Sequence, residues 1–220
     1  MPYTTVFFDL DDTLYAPETG IWGAIRERMN RYMLEVLHIP SEQVSALRHF
    51  YFETYGTTLR GLQYHYHVDA ADFLAYVHDL PIEDILKPDP ELRAFLLSIP
   101  HPCFVFTNAD HRHAERVLSS LGIRDCFEDV IDVIAMDFHC KPETAAYQIA
   151  LQCAGGPAPQ ECVYLDDSAR NLAPAQQLGF YTVLIGQHAA NPIGALAINR
   201  PQDLRCALPE LWENHRNGRR

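Results

Sequence analysis

Three carboxylates crowd four positions near the start of the chain, in Phe7-Phe8-Asp9-Leu10-Asp11-Asp12-Thr13-Leu14-Tyr15. They close an apolar run, and on an extended backbone Asp9 and Asp11 face the same side. Two close carboxylates resist joint ionisation unless a cation compensates them, so the pair is expensive as mere structure. The structural alternative is an acidic turn in which Asp12 and Thr13 bond nearby backbone N–H groups. Further along, Thr107-Asn108 offers a hydroxyl and an amide to an oxyanion, and Lys141-Pro142 a fixed cation at a helix start. Asp166-Asp167-Ser168 precedes Asn171 within the first turn of a following helix. Each fragment has a plain explanation too: turn residues, a solvated lysine, or an N-cap with a helix-dipole partner. Their order, at the ends of successive strand candidates, argues against coincidence.

The elements that must carry these groups follow from periodicity and punctuation. Short apolar segments predict strands at about 3–9, 102–107, 129–134, 161–166 and 181–185. Helices are expected between the later strands. Ala114, Val117, Leu118 and Leu121 recur at helical spacing over 110–121 before Gly122. A second helix over 142–153 opens on Pro142, and a third over 168–178 aligns Leu172, Ala175 and Leu178 before Gly179. This alternation implies an α/β doubly wound parallel sheet covered on both faces. The first strand does not feed directly into the second, because residues 16–90 read as nearly all helix. Ile21, Ile25, Met29, Tyr32, Met33 and Val36 form one stripe there, and Val44, Leu47 and Tyr51 another. The expected organisation is a core from 1–15 and 91–205, a helical cap inserted at 16–90 over the reactive strand ends, and a tail at 206–220. Gly155-Gly156-Pro157-Ala158-Pro159 reads as a surface loop.

Composition narrows the class. A chain of 220 residues, 48% hydrophobic, suffices for one substantial core. Its net charge of -12 opposes binding to nucleic acid polymers or anionic membranes, while leaving room for a local cationic pocket. Apolar runs fall short of a membrane span, and no secretory signal is visible, so the cytoplasm is the expected location. The six cysteines have no CxxC spacing and read as buried thiols. The basic run His215-Arg216-Asn217-Gly218-Arg219-Arg220 reads as a solvated C-terminal end.

The four motifs, Asp9-Leu10-Asp11-Asp12-Thr13, Thr107-Asn108, Lys141-Pro142 and Asp166-Asp167-Ser168-Ala169-Arg170-Asn171, resemble those of the haloacid dehalogenase-like (HAD) hydrolase superfamily over residues up to about 186. The resemblance implies a Rossmannoid core, magnesium, and Asp9 as the nucleophile that attacks phosphorus. It also implies that Asp11 gives its main-chain carbonyl to the metal and its side chain as acid and base. Haloalkanoate dehalogenases of the superfamily lack that second Asp, so Asp11 argues for phosphate chemistry. The implied metal set is Asp9, Asp11, Asp166 and Asp167, with the relative roles of the last two left open. Thr107, Asn108 and Lys141 would hold phosphoryl oxygens, and Lys141 would offset the repulsion between Asp9 and a phosphate dianion.

Within the superfamily, the chain is similar to the pyrimidine 5'-nucleotidase-like subfamily through Phe8 to Tyr15, Tyr55-Gly56-Thr57-Thr58-Leu59-Arg60-Gly61-Leu62 and Asp166 to Leu172. Members commonly carry Asn where this chain has Asp12. The resemblance implies a phosphomonoesterase for a small phosphorylated metabolite, a pyrimidine nucleoside 5'-monophosphate. Arg60 is then a candidate substrate-binding fork, or a surface bridge between cap helices. Tyr64, His65, Tyr66 and His67 could stack on a base or serve as core or interface. A sugar-phosphate phosphatase, a phosphomutase and a non-catalytic phosphate-binding module remain the alternatives, and the sequence does not set the oligomeric state.

Overall fold

A computed structural model describes residues 3–186 and 196–213. Six parallel strands form one sheet in the order β3-β2-β1-β4-β5-β6: β1 Thr5–Phe8, β2 Cys103–Phe106, β3 Asp129–Ile131, β4 Cys162–Asp166, β5 Tyr181–Ile185 and β6 Leu196–Ile198. The central strand β1 pairs with β2 in the register Phe7↔Phe104 and with β4 in the register Phe7↔Tyr164. Successive β1 side chains serve opposite faces. Val6 and Phe8 join one core cluster and Phe7 joins the other, beside Phe104, Phe106 and Tyr164. Burial on both sides explains why the strands read as continuous apolar runs.

Five of the strands coincide with the expected segments. The 129–134 segment stops at Ile131 because Asp132 turns the chain, its carboxylate accepting from His111 N and Ala135 N at 2.8 Å each. The sixth strand, β6, was not foreseen. It is short, follows the Gly-, Ala- and Pro-rich stretch after β5, and carries no alternation of its own.

Between β1 and β2 the chain forms α1 Ile21–Glu35, α2 Ser41–Tyr55, α3 Thr58–Tyr66, α4 Ala70–Val77, α5 Ile82–Ile85 and α6 Pro90–Ser98. Ile21, Ile25, Tyr32 and Met33 of the expected stripe are buried, while Val36, just past the end of α1, is exposed. Side-chain oxygens start three of these helices: Thr57, Asp69 and Asp89 accept from the N–H groups of Arg60, Asp72 and Leu92. The remaining helices are α7 His111–Leu121, α8 Thr144–Cys153, α9 Ala169–Leu178 and α10 Leu204–Ala207. The Lys141–Pro142 peptide is cis, and α8 begins after it, two residues later than expected.

The expected boundary at 205 falls inside α10. Residues 206–213 dock rather than trail: Leu208 and Leu211 are buried, and Trp212 Nε1 donates to Ser98 O at 2.7 Å. The basic run at 215–220 lies outside the described residues. Among the described residues no helix is long and apolar enough to cross a membrane. All six cysteines are free, with Cys103, Cys140 and Cys162 buried and Cys153 and Cys206 exposed.

Candidate active site

Parallel strands point their carboxyl ends the same way, so the residues that follow β1, β2 and β4 meet at one edge of the sheet. Lys141, from the loop after β3, lies at their centre. Its side chain is 1% exposed, and Nζ donates to Asp9 Oδ1 at 2.6 Å, Phe106 O at 2.8 Å and Asp166 Oδ2 at 3.0 Å. The ammonium also sits 5.0 Å from the Phe106 ring centre. Burial pulls its pKa down, but Asp166 and Asp9 outweigh that and hold it above the ordinary lysine value.

The loop carrying Lys141 is clasped by Asn108. Asn108 Oδ1 accepts from Lys141 N at 2.8 Å, and Nδ2 donates to Lys141 O at 3.0 Å. The Asn108 side chain is therefore engaged with the protein backbone. Neighbouring Thr107 is buried at the cavity wall, its Oγ1 accepting from Ala109 N at 3.0 Å.

Asp166 is fully buried. Besides Lys141 it accepts from Tyr164 OH, from Ser168 N at 2.8 Å and from Asn171 Nδ2 at 3.1 Å. Asp167 is more open and lines the cavity, with its N–H bonded to Thr13 Oγ1 at 3.1 Å; Thr13 Oγ1 in turn donates to Asp9 Oδ2 at 3.2 Å. Carboxylate oxygens of Asp9, Asp166 and Asp167 lie within 4.8 Å of one another. Burial and mutual repulsion raise the pKa of Asp9 and of Asp167, since one lysine cannot neutralise three charges. A hard-oxygen donor set short of positive charge fits a magnesium ion.

Asp11 stands apart from that cluster. Tyr15 OH donates to its Oδ1 at 2.5 Å, and His113 Nε2 contacts the same oxygen at 2.8 Å. Burial alone would raise Asp11, but His113 and Tyr15 reverse this and hold its pKa below the usual value. Asp12 adopts φ 59°, a left-handed conformation that Asp and Asn tolerate, and its Oδ1 is buried without a partner. Burial and Asp11 push Asp12 up to about 6.

These groups open onto a cavity of about 250 Å³. Its far wall is apolar, built from Trp22, Met29, Phe52, Leu59, Phe73 and Val77, with Arg48 as the cation there. Arg48 Nε donates to Asn30 Oδ1 at 3.0 Å, and no acidic partner is present among the described residues.

The structure brings Asp9, Asp11, Thr107, Asn108, Lys141, Asp166 and Asp167 together at one strand edge. It does not bring Arg60 there. Arg60 is spent on Glu143 beside the Lys141 loop and does not line the cavity, because α3 points that side chain toward the start of α8. Tyr64, His65, Tyr66 and His67 also lie off the cavity: Tyr64 is 70% exposed, and His65 stacks on Tyr51 at 5.2 Å. Arg48, His78 and His113 were missed. The Asp110-His111-Arg112-His113 spacing was a visible signal, since Asp110 caps α7 by accepting from His113 N at 2.9 Å. Arg48 carried no signal, lying in an ordinary helical stripe.

Comparison with known proteins agrees with this architecture. The haloacid dehalogenase-like hydrolase family profile matches residues 3–179. Phosphate metabolism protein 8 of Saccharomyces cerevisiae is 27% identical over 192 residues, which is 81% of this chain but only 60% of the yeast protein. Among solved structures, the magnesium-bound HAD-hydrolase YfnB of Bacillus subtilis aligns with a TM-score of 0.63 at 15% identity, covering 95% of this chain and 100% of that one. A HAD phosphatase from Thermococcus onnurineus gives 0.63 at 19% identity, covering 93% and 97%. The L-2-haloacid dehalogenase of Xanthobacter autotrophicus, with chloropropionic acid covalently bound, gives 0.59 at 15%, covering 94% and 98%. The matched motifs, the parallel sheet and the convergence of their side chains at its edge have one common explanation: this chain belongs to the haloacid dehalogenase-like hydrolase family.

Proposed function

We propose that the protein is a magnesium-dependent phosphomonoesterase that works through an aspartyl phosphate on Asp9, with nucleoside 5'-monophosphates, pyrimidine ones first, as its substrates. The observation that carries this reading is the placement of Asp9 and Asp11 at the floor of one cavity, Asp9 held by Lys141 and Asp11 by His113. Lys141 holds Asp9 as a carboxylate aimed from one oxygen and draws a phosphate dianion toward it. A phosphate dianion beside Asp11 offsets the pull of His113 and Tyr15, so that Asp11 gives a proton to the departing alcohol and takes one from the water that cleaves the aspartyl phosphate. Thr107 and the N–H of Asn108 receive the phosphoryl oxygens.

Asp9, Asp167 and the Asp11 carbonyl would hold the metal. Asp166, saturated by four donors, would act through Lys141 and Asn171. Magnesium, when bound, supplies the charge neutralisation that lets two anions meet. Residues 16–90 act as the cap and 1–15 with 91–205 as the core. The free thiols suit a cytoplasmic setting.

The apolar far wall favours a flat heteroaromatic group over a sugar, whose hydroxyls would find few partners there. Arg48 is suited to a carbonyl or anionic oxygen of that group. Asp11 separates the reading from a dehalogenase, which needs no leaving-group acid. The experiment is a phosphate-release screen over UMP, CMP and sugar phosphates with magnesium, on wild type and Asp9→Asn. Release from UMP or CMP that Asp9→Asn abolishes is the expected result. Sugar phosphates turned over faster than every nucleotide would reject the substrate assignment, and an isomerised sugar phosphate without free phosphate would mark a mutase.

A further inference from the structure

His113 is wholly buried, yet only one of its ring nitrogens has a partner. Nε2 contacts Asp11 Oδ1 at 2.8 Å, while Nδ1 is buried without a hydrogen bond. An imidazole held this way costs stability relative to an apolar ring of similar size, because a polar atom is desolvated for nothing. Its fixed tie is to Asp11. A second histidine holds the ring in place: His78, just past the end of α4, stacks on His113 at 4.3 Å with planes 20° apart. His78 Nδ1 is bonded in turn to Asp110 Oδ2 at 2.5 Å, and Asp110 caps α7, the helix that carries His113.

The two donors on Asp11 fall on the same oxygen. Tyr15 OH and His113 Nε2 both meet Oδ1, and Oδ2 accepts no hydrogen bond among the described residues although Asp11 lines the cavity. We propose that His113, clamped by His78, is a positioning residue that with Tyr15 pins Oδ1 of Asp11 and so leaves Oδ2 as the oxygen that exchanges protons with the leaving group and the water. This rests on the reading of Asp11 as acid and base. As the Asp9 oxygen forms its bond to phosphorus and the ester P–O bond breaks, the proton on Oδ2 goes to the departing alkoxide; in the second half, water attacks the aspartyl phosphate and its proton returns to Oδ2. A carboxyl free to rotate would present Oδ2 only part of the time, and the loss would appear where a proton is needed.

The test uses the full chain with magnesium and two esters: glycerol 2-phosphate, whose alkoxide needs a proton to leave, and p-nitrophenyl phosphate, whose phenolate does not. His113→Phe should lower kcat on glycerol 2-phosphate by about 100-fold with KM nearly unchanged. The first-turnover burst of nitrophenol should keep its rate within about threefold. His113→Gln, which restores an Nε2 donor, should recover at least about tenfold of the loss. Asp11→Asn should show the same dependence on leaving group, more severely. Selective loss in Asp11→Asn with none in His113→Phe, or an equal loss on both esters in His113→Phe, overturns the role of His113 alone. A non-selective Asp11→Asn overturns the acid and base reading and the proposal with it. Should His113→Phe not fold, long-range ¹H–¹⁵N spectra decide: the His113 Nε2 resonance should carry a hydrogen-bonded proton in wild type and shift in Asp11→Asn, and an unmoved resonance overturns the proposal.

Discussion

Asn108 and Lys141 exchange two hydrogen bonds, the amide oxygen accepting from the lysine N–H and the amide nitrogen donating to the lysine carbonyl. Only an amide side chain offers both partners at that spacing. The clasp fixes the backbone from which the ammonium reaches Asp9. Asn108→Asp keeps the acceptor but sets a second oxygen against the Lys141 carbonyl. It should lose about 1–3 kcal/mol in urea denaturation and lower kcat on every ester alike. An unchanged midpoint and rate would remove the clasp from the account.

The crowding of Asp9, Asp166 and Asp167 gives the metal-free protein a definite pH dependence. Asp167 has its pKa raised by burial and by Asp9, so the folded state binds its proton more tightly than the unfolded chain does. The stability this contributes is present below the ordinary carboxylate pKa and is lost as pH rises through the folded value. In EDTA, Tm should therefore fall between about pH 5 and about pH 8, and magnesium should reverse the fall at the upper end. His113, also raised, pulls in the same direction, so the diagnostic part is the slope that Asp167→Asn removes. An identical slope in that variant would contradict the assignment.

Two arginines expected to differ in function can be separated kinetically. Arg48 lines the far wall without an acidic partner, whereas Arg60 is bound to Glu143. Arg48→Ala should raise KM for UMP by about tenfold or more and leave kcat on p-nitrophenyl phosphate nearly unchanged. Arg60→Ala should act on both substrates together, through the loop that carries Lys141. The reverse pattern would return Arg60 to the substrate.

At Gly61, α3 packs directly against Tyr51 of α2. A Cβ there would lie 2.3 Å from Tyr51 Cγ, and Tyr51 is buried. Gly61→Ala should cost about 1–3 kcal/mol, read from the denaturation midpoint. A neutral result would mean that the two helices separate freely.

Much of this was legible in the sequence, and the reason is local. Each strand that carries a reactive residue is a short apolar run ended by that residue, so Asp9, Thr107 and Asp166 announce both the element and its edge. Lys141 was legible by its place among them. The rest depends on contacts between distant segments. Arg60 lies in a cap segment with phosphate-compatible chemistry, but its partner Glu143 is 83 residues further along the chain. His78 lies just past the end of α4 and His113 in α7, and nothing in either neighbourhood specifies that their rings stack. Arg48 and Trp22 face the cavity only because α1 and α2 pack as they do.

The register of β1 also bears on how the chain reaches this state. Its neighbours on either side are β2, at Phe104, and β4, at Tyr164, and among the described residues every strand pair is parallel, so no hairpin joins them. The central strand therefore emerges from the ribosome long before either partner exists, as a run of four buried residues, Thr5 to Phe8, with both backbone edges open. Native pairing must wait until β1 meets segments roughly 100 or more residues further along the chain, so folding is correspondingly slow. During that interval the same apolar run that anchors the nucleophile is the segment most in need of shielding from other nascent chains.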